Sequence, residues 1–146
     1  MKGYLLDTNL LIALFWPAHA KHETAIKWFA RHRSKGWATC PFTQAGFVRI
    51  VSNPAFSRDA VHPREAIQVL AANLRADDHV FWADNLAVPA AVSFAEARLV
   101  GHRQITDAYL LGLALSRDGA LATLDRGIES LTASNSAARS ACEIIS

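Results

Sequence analysis

Five short apolar stretches, GYLLD (3–7), GWATC (36–40), HVFWA (79–83), ALATL (120–124) and CEII (142–145), recur along the chain with helical patterns between them. Short, near-continuous apolar runs of this kind are the mark of strands covered on both faces. The segments between them read as helices. TNLLIALF (8–15) is ended by Pro17, and residues 19–34 place Ala25, Ile26, Trp28 and Phe29 on one side. Residues 42–53 stop before Pro54, and 62–76 carry Pro63 in the first turn with Ile67, Leu70 and Leu74 in line. A weaker helical run lies around 90–98 and the most apolar one spans 105–116. Strands alternating with helices predict an α/β fold: a parallel sheet of about five strands with helices on both faces, one domain over 1–146.

Composition excludes several classes. Hydrophobic residues at 51% against 19% charged ones exclude a disordered chain. No apolar run approaches the roughly 20 residues of a membrane span. Lys2, the apolar start and "AHA" at 18–20 imitate a secretion signal, but Asp7 and Asn9 interrupt the apolar region. Cys40 and Cys142 form no CxxC pair, so free thiols in a reducing, cytoplasmic compartment are expected. Charge is uneven: residues 1–73 hold 9 Lys and Arg against 4 Asp and Glu, and 74–146 hold 6 against 9. That division suits attraction of a polyanion beside a gathering of carboxylates, and suits an ordinary mixed surface equally well.

In parallel α/β sheets, ligands sit outside the carboxyl ends of the strands at a topological switch point. Asp7 closes the first strand, Asp125 in "ATLDRG" follows the fourth, and Asp107 stands in the first turn of the most apolar helix. Singly, each has a bland role as helix cap, dipole partner or turn residue. Jointly, three carboxylates at ligand-facing ends repel one another unless a cation lies among them. Oxygen donors without a His/Cys cluster select Mg²⁺ or Mn²⁺ over zinc.

The segments LLDTNLLIAL, TCPFTQAGFVRIVSNP, HRQITDAYLLGLA and LATLDRG, in this order, resemble the successive motifs of PIN-domain ribonucleases, in particular VapC-type toxins of toxin–antitoxin systems. The resemblance implies a three-layer α/β/α sandwich with sheet order 3-2-1-4-5, so that Asp7 and Asp125 flank one cleft and Asp107 reaches in from its helix. It implies a Mg²⁺-dependent endoribonuclease, with Mn²⁺ able to substitute, that hydrolyses RNA to a 5′-phosphate and a 3′-hydroxyl. Asp7, Asp107 and Asp125 would be the metal ligands. The family's usual second acid, a glutamate, is matched here by Gln44, which brings no charge. Asp84 after the third strand is a loop residue that could substitute for it. Thr8, Asn9 and Thr106 are polar neighbours placed to orient the carboxylates or hold water, and Arg49, Arg103 and Arg126 are candidates for RNA phosphate contacts. A homodimer neutralised by a VapB-type antitoxin is implied as well.

The competing reading is a PIN domain weakened by Gln44 that acts by binding RNA or a partner. A phosphoryl-transfer domain fits poorly, because no Lys occurs beyond Lys35, and a dinucleotide enzyme lacks GxGxxG. The basic stretch RHRSK (31–35) suits a helix C-terminus as well as an RNA backbone. His19 and His22 are read as surface residues, and the aromatics mainly as core, with an exposed subset around Trp16 and Trp28 open to a partner helix.

Overall fold

In the computed structural model, which describes residues 1–146, five strands form one all-parallel sheet in the order β3-β2-β1-β4-β5. They are β1 (Tyr4–Leu6), β2 (Trp37–Thr39), β3 (His79–Phe81), β4 (Ala120–Thr123) and β5 (Cys142–Ile144). Central β1 aligns Leu5 with Ala38 on β2 and with Leu121 on β4. Successive side chains of a strand point to opposite faces. Leu5, Ala38 and Leu121 therefore enter one core, while Tyr4, Leu6, Trp37, Ala120 and Ala122 enter the other.

Eight helices complete two outer layers. α1 (Thr8–Phe15), α2 (His22–His32), α3 (Pro41–Val51) and α4 (Pro63–Leu74) cover the Tyr4/Leu6 face. α5 (Val88–Val92), α6 (Ile105–Ser116), α7 (Glu129–Thr132) and α8 (Ser136–Ser140) cover the Leu5 face. Leu5, Leu6, Leu10 and Leu11 are fully buried, and complete burial of such a side chain stabilises by roughly 1.5–3 kcal/mol. α6 is buried nearly all round, from Ala108 to Ala114, which explains its unbroken hydrophobicity. Arg33 anchors the end of α2 by a two-point bond to Asp78 just before β3 (2.7 and 3.0 Å), so this part of the basic stretch serves the scaffold. The pair holds the Asp78 carboxyl down at about 2.

The sequence pattern and the structure part in particular places. The expected strands lose one or two end residues, since Asp7 and Cys40 already belong to helix entries. The second helix starts at His22; His19 sits in the preceding turn, where its ring accepts the Lys21 N–H (2.9 Å). His22 is half-buried and bonded to the Ala13 carbonyl (2.7 Å), so it belongs to the scaffold and not to a free surface. Pro41 opens α3, a use of proline at the first helical turn. The run near 90–98 is a short helix followed by a 3-10 turn, Ser93–Arg98. Ile67 is 54% exposed, so the apolar line of α4 narrows to Ala66 and Leu70. α7 and α8 are two short turns without a periodic signal. Trp28 is buried, stacked on His32 (4.6 Å) and against Tyr4 (5.0 Å), which removes it from any exposed aromatic patch.

One glycine sets how closely the second layer packs. A Cβ on Gly112 of α6 would lie 1.8 Å from the Ala91 carbonyl oxygen and 2.6 Å from its carbon, both backbone atoms of α5. Gly112→Ala should therefore force α5 away and cost about 1–3 kcal/mol, read as a lower urea midpoint at unchanged slope. Gly101→Ala, where a Cβ meets nothing within 4 Å, should stay within about 0.5 kcal/mol of the parent.

Candidate active site

The sheet order places the switch point between β1 and β4, since β2 and β3 lie on one side of β1 and β4 and β5 on the other. Asp7 is the residue after β1. Its N–H continues the ladder to the Ala122 carbonyl (2.9 Å), and its own carbonyl accepts from Leu10 and Leu11 of α1 (both 3.0 Å). Its side chain is buried at the N-terminus of α1: Oδ1 accepts the Thr8 N–H (2.8 Å) and Oδ2 accepts the Thr123 hydroxyl (2.7 Å). The capping role and the ligand-facing position are thus held by one carboxylate.

Thr123, fully buried at the end of β4, is the hub of the cleft. Besides donating to Asp7, its oxygen accepts from the Asn9 amide (3.3 Å) and from the Asp125 N–H (3.1 Å). The Asn9 carbonyl oxygen accepts the Leu124 N–H (3.2 Å), so Asn9 ties α1 to the exit of β4. Asp125 folds back on its own turn, with Oδ1 accepting the Gly127 N–H (2.8 Å). Sequence reasoning missed Thr123. Its one signal is position, a hydroxyl at the end of an apolar strand two residues before an acid.

Asp107 enters from the first turn of α6, half-buried. Burial, and then the charges of Asp7 and Asp125, push its carboxyl up to about 6. Burial also raises Asp7, against the opposing effect of its bonds to Thr123 and Thr8, with Asp125 adding to the rise. Asp107 thus lies within the range of the charges of Asp7 and Asp125. No basic side chain neutralises them: the ion pairs are Arg33–Asp78 and Arg126–Glu129.

The remaining sequence candidates fall around this cleft unequally. Thr8 contributes its backbone N–H, and its side chain lies against Gly46 of α3, where a Cβ would meet its hydroxyl at 2.7 Å. Gln44, two residues earlier on α3, is half-buried and donates its amide to Thr39 (2.9 Å). Thr106 is exposed and makes no bond to the carboxylates. Arg49, Arg103 and Arg126 are all exposed, the last within 3.4 Å of Glu129. Asp84 is exposed and its charge acts on Cys40 and Tyr109, away from the three aspartates. Both cysteines are free thiols.

No three His, Cys, Asp or Glu side chains converge tightly enough to cage an ion by themselves. An ion at this place would be held by one or two carboxylates and complete its shell with water, as Mg²⁺ and Mn²⁺ can. The larger surface concavities lie elsewhere, one of them lined by Glu129, Arg139 and Cys142.

Comparison with known proteins agrees with the motifs. The PIN domain family profile matches residues 4–133. The chain is 44% identical over 126 residues to Ribonuclease VapC39 of Mycobacterium tuberculosis, covering 85% of this chain and 89% of that protein. It is 42% identical over 127 residues to Ribonuclease VapC38 of the same species, covering 87% and 88%. Among solved structures, VapBC2 from Rickettsia felis bound to a DNA fragment from their promoter aligns over 99% of both chains, with a TM-score of 0.66 at 12% identity, a likeness of fold.

The raised carboxyl has a consequence for stability. Asp107 titrates higher folded than unfolded, where an aspartate lies near 3.9, so the folded state binds its proton more tightly. Stability linked to that proton is complete below about pH 4 and is lost as pH rises through about 6. Solvent screens this half-buried carboxyl, so Asp107→Asn should stabilise the cation-free protein by about 1 kcal/mol at pH 7.5 and by almost nothing at pH 4. Urea titrations with a chelator at both pH values measure this; equal effects at the two would show that the fold does not raise the Asp107 carboxyl.

Proposed function

The chain belongs to the PIN-domain family, among its VapC-type ribonucleases, and on that premise we propose that it is a Mg²⁺-dependent endoribonuclease toxin held in check by a VapB-type antitoxin. The observation that carries this reading is the charge of the cleft. At the switch point of the sheet Asp107 is pushed up to about 6, first by burial and then by the charges of Asp7 and Asp125, and no cationic side chain pairs with the three acids.

One or two of Asp7, Asp107 and Asp125 would hold the divalent ion directly and the rest through its bound water; the ion would supply an activated water and neutralise charge on the phosphoryl oxygens. Each protein group has a separate task. Asp7 is held by two hydrogen bonds, one from Thr8 and one from Thr123, so its geometry does not depend on the ligand. Asn9 and Thr123 fix the exit of β4 and with it the backbone of Asp125. Gln44 offers a neutral oxygen at the family's second acidic position, leaving three formal negative charges and a weaker hold on the cation. Arg49, Arg103 and Arg126 are exposed donors for the RNA backbone.

A homodimer with the antitoxin laid across the cleft is the assembly this reading implies; a chain of Rickettsia felis VapBC2, solved bound to a DNA fragment from their promoter, has the same fold. A cytoplasmic site of action fits it, and no helix is long and apolar enough to cross a membrane. Gln44 specifically favours a second reading, a PIN domain that binds RNA without cutting.

Purified, antitoxin-free protein should cleave RNA with Mg²⁺ or Mn²⁺, leave 5′-phosphate and 3′-hydroxyl ends, and stop when the ion is chelated. Asp7→Asn and Asp107→Asn should each slow cleavage by about 100-fold or more, measured by mapping RNA ends. Gln44→Glu should lower the Mg²⁺ concentration for half-maximal cleavage by about tenfold. RNA binding without cleavage, unchanged by the Asp substitutions, would select the second reading.

A further inference from the structure

Beside the cleft runs a chain of hydrogen bonds that the cleavage reaction does not use. Gln44 Nε2 donates to Thr39 Oγ1 (2.9 Å), and Thr39 Oγ1 lies 2.8 Å from His79 Nε2. Thr39 ends β2 and is fully buried; His79 begins the edge strand β3 and is half-buried, its ring tilted against Trp37 (4.7 Å). Side-chain valence fixes the direction of the chain. The amide nitrogen only donates, so it takes a lone pair of Thr39, and the hydroxyl's single proton is left for His79. Nε2 is then the acceptor, and the ring's own proton sits on Nδ1.

The surroundings favour this neutral ring. Burial lowers its affinity for a second proton, against the Leu74 backbone and the charge of Asp78, and Asp78 is itself paired with Arg33 at 2.7 Å. At the other end of the chain, the Gln44 amide oxygen takes no donor from the protein. Gly46, two residues on, presses against Thr8 and so places this part of α3 next to the Asp7 end of β1.

We infer that Thr39 and His79 are positioning residues for Gln44: the unprotonated imidazole draws the Thr39 hydroxyl proton, Thr39 holds the amide nitrogen inward, and the amide oxygen is left free on the cleft side. The inference rests on the reading above only in placing Gln44 at the active site. Its physical content is a matched polarity, a donor at position 44 and an acceptor at position 79. A carboxylate at 44 has no donor. It must accept from Thr39, whose oxygen can then accept only from an N–H at His79 Nε2, supplied by the other neutral tautomer or by the protonated ring. The acid or amide at 44 thereby sets which ring nitrogen of His79 carries the proton, with no direct bond between the two.

The test is a histidine side-chain NMR titration of the full chain without metal, with the His79 signal assigned by its loss in His79→Gln. Wild-type His79 should titrate below the ordinary imidazole value with its proton on Nδ1. Gln44→Glu should move the neutral ring's proton to Nε2. Thr39→Val should abolish that difference, so that the single variant and Thr39→Val combined with Gln44→Glu share one tautomer. A ring that keeps its proton on Nδ1 in Gln44→Glu, or a wild-type ring protonated on Nε2, overturns the inference. Should Thr39→Val not fold, the comparison of wild type with Gln44→Glu decides alone. The measurement uses neither RNA nor cation, so a protein that fails to cleave but shows the shift refutes the nuclease reading and keeps this one, and the reverse result does the opposite.

Discussion

β1 and β4 run side by side until Asp7 and Thr123, and the hydrogen bond between these two side chains spans the place where the chains separate. Beyond it one chain turns into α1 and the other into the Asp125 turn. A buried carboxylate is costly unless its lone pairs are occupied. Here the Thr123 hydroxyl, the Thr8 N–H and the positive end of α1 share that task. The same three groups that make Asp7 tolerable to the fold also fix its direction. Anything that loosened β1 from β4 would release Asp7, Asn9 and Asp125 together, since Thr123 touches all three.

The rest of the molecule is a stiff support for this seam. Leucines without exposure back β1 on both faces, and α6 sinks into the other core over its whole length apart from its first turn, where Asp107 stands. Stability is therefore concentrated away from the cleft, and repulsion among carboxylates is concentrated within it. A cation bound among the acids would relieve that repulsion and so bind the folded chain in preference to the unfolded one.

Much of this was legible from spacing alone. Apolar runs of three to five residues at the right intervals announce β1 to β5, and an acid directly after β1 points to the carboxyl edge of the sheet. The motifs then give the sheet order, which periodicity cannot supply. What stayed hidden has physical causes. Thr123 and Thr39 read as unremarkable strand residues because a hydroxyl's role depends on neighbours far along the chain. Trp28 lies on an amphipathic helix rich in basic residues, and only the stack with His32 shows that it is buried. α7 and α8 are too short to carry a period, and packing on Leu131 and Ala138 makes them helical.

Gln44 gains a rationale once the charges are counted together with the hydrogen bonds. Burial and the charges of Asp7 and Asp125 already push Asp107 up to about 6; a further charge nearby would add to that repulsion. An amide adds none. It also has what a carboxylate lacks, a donor for the buried Thr39 on one side and an acceptor for the cleft on the other. A glutamate at this position would gain charge and keep an inward hydrogen bond only by accepting from Thr39, with His79 presenting an N–H at Nε2, so the two ends of the chain from α3 to β3 cannot be chosen independently.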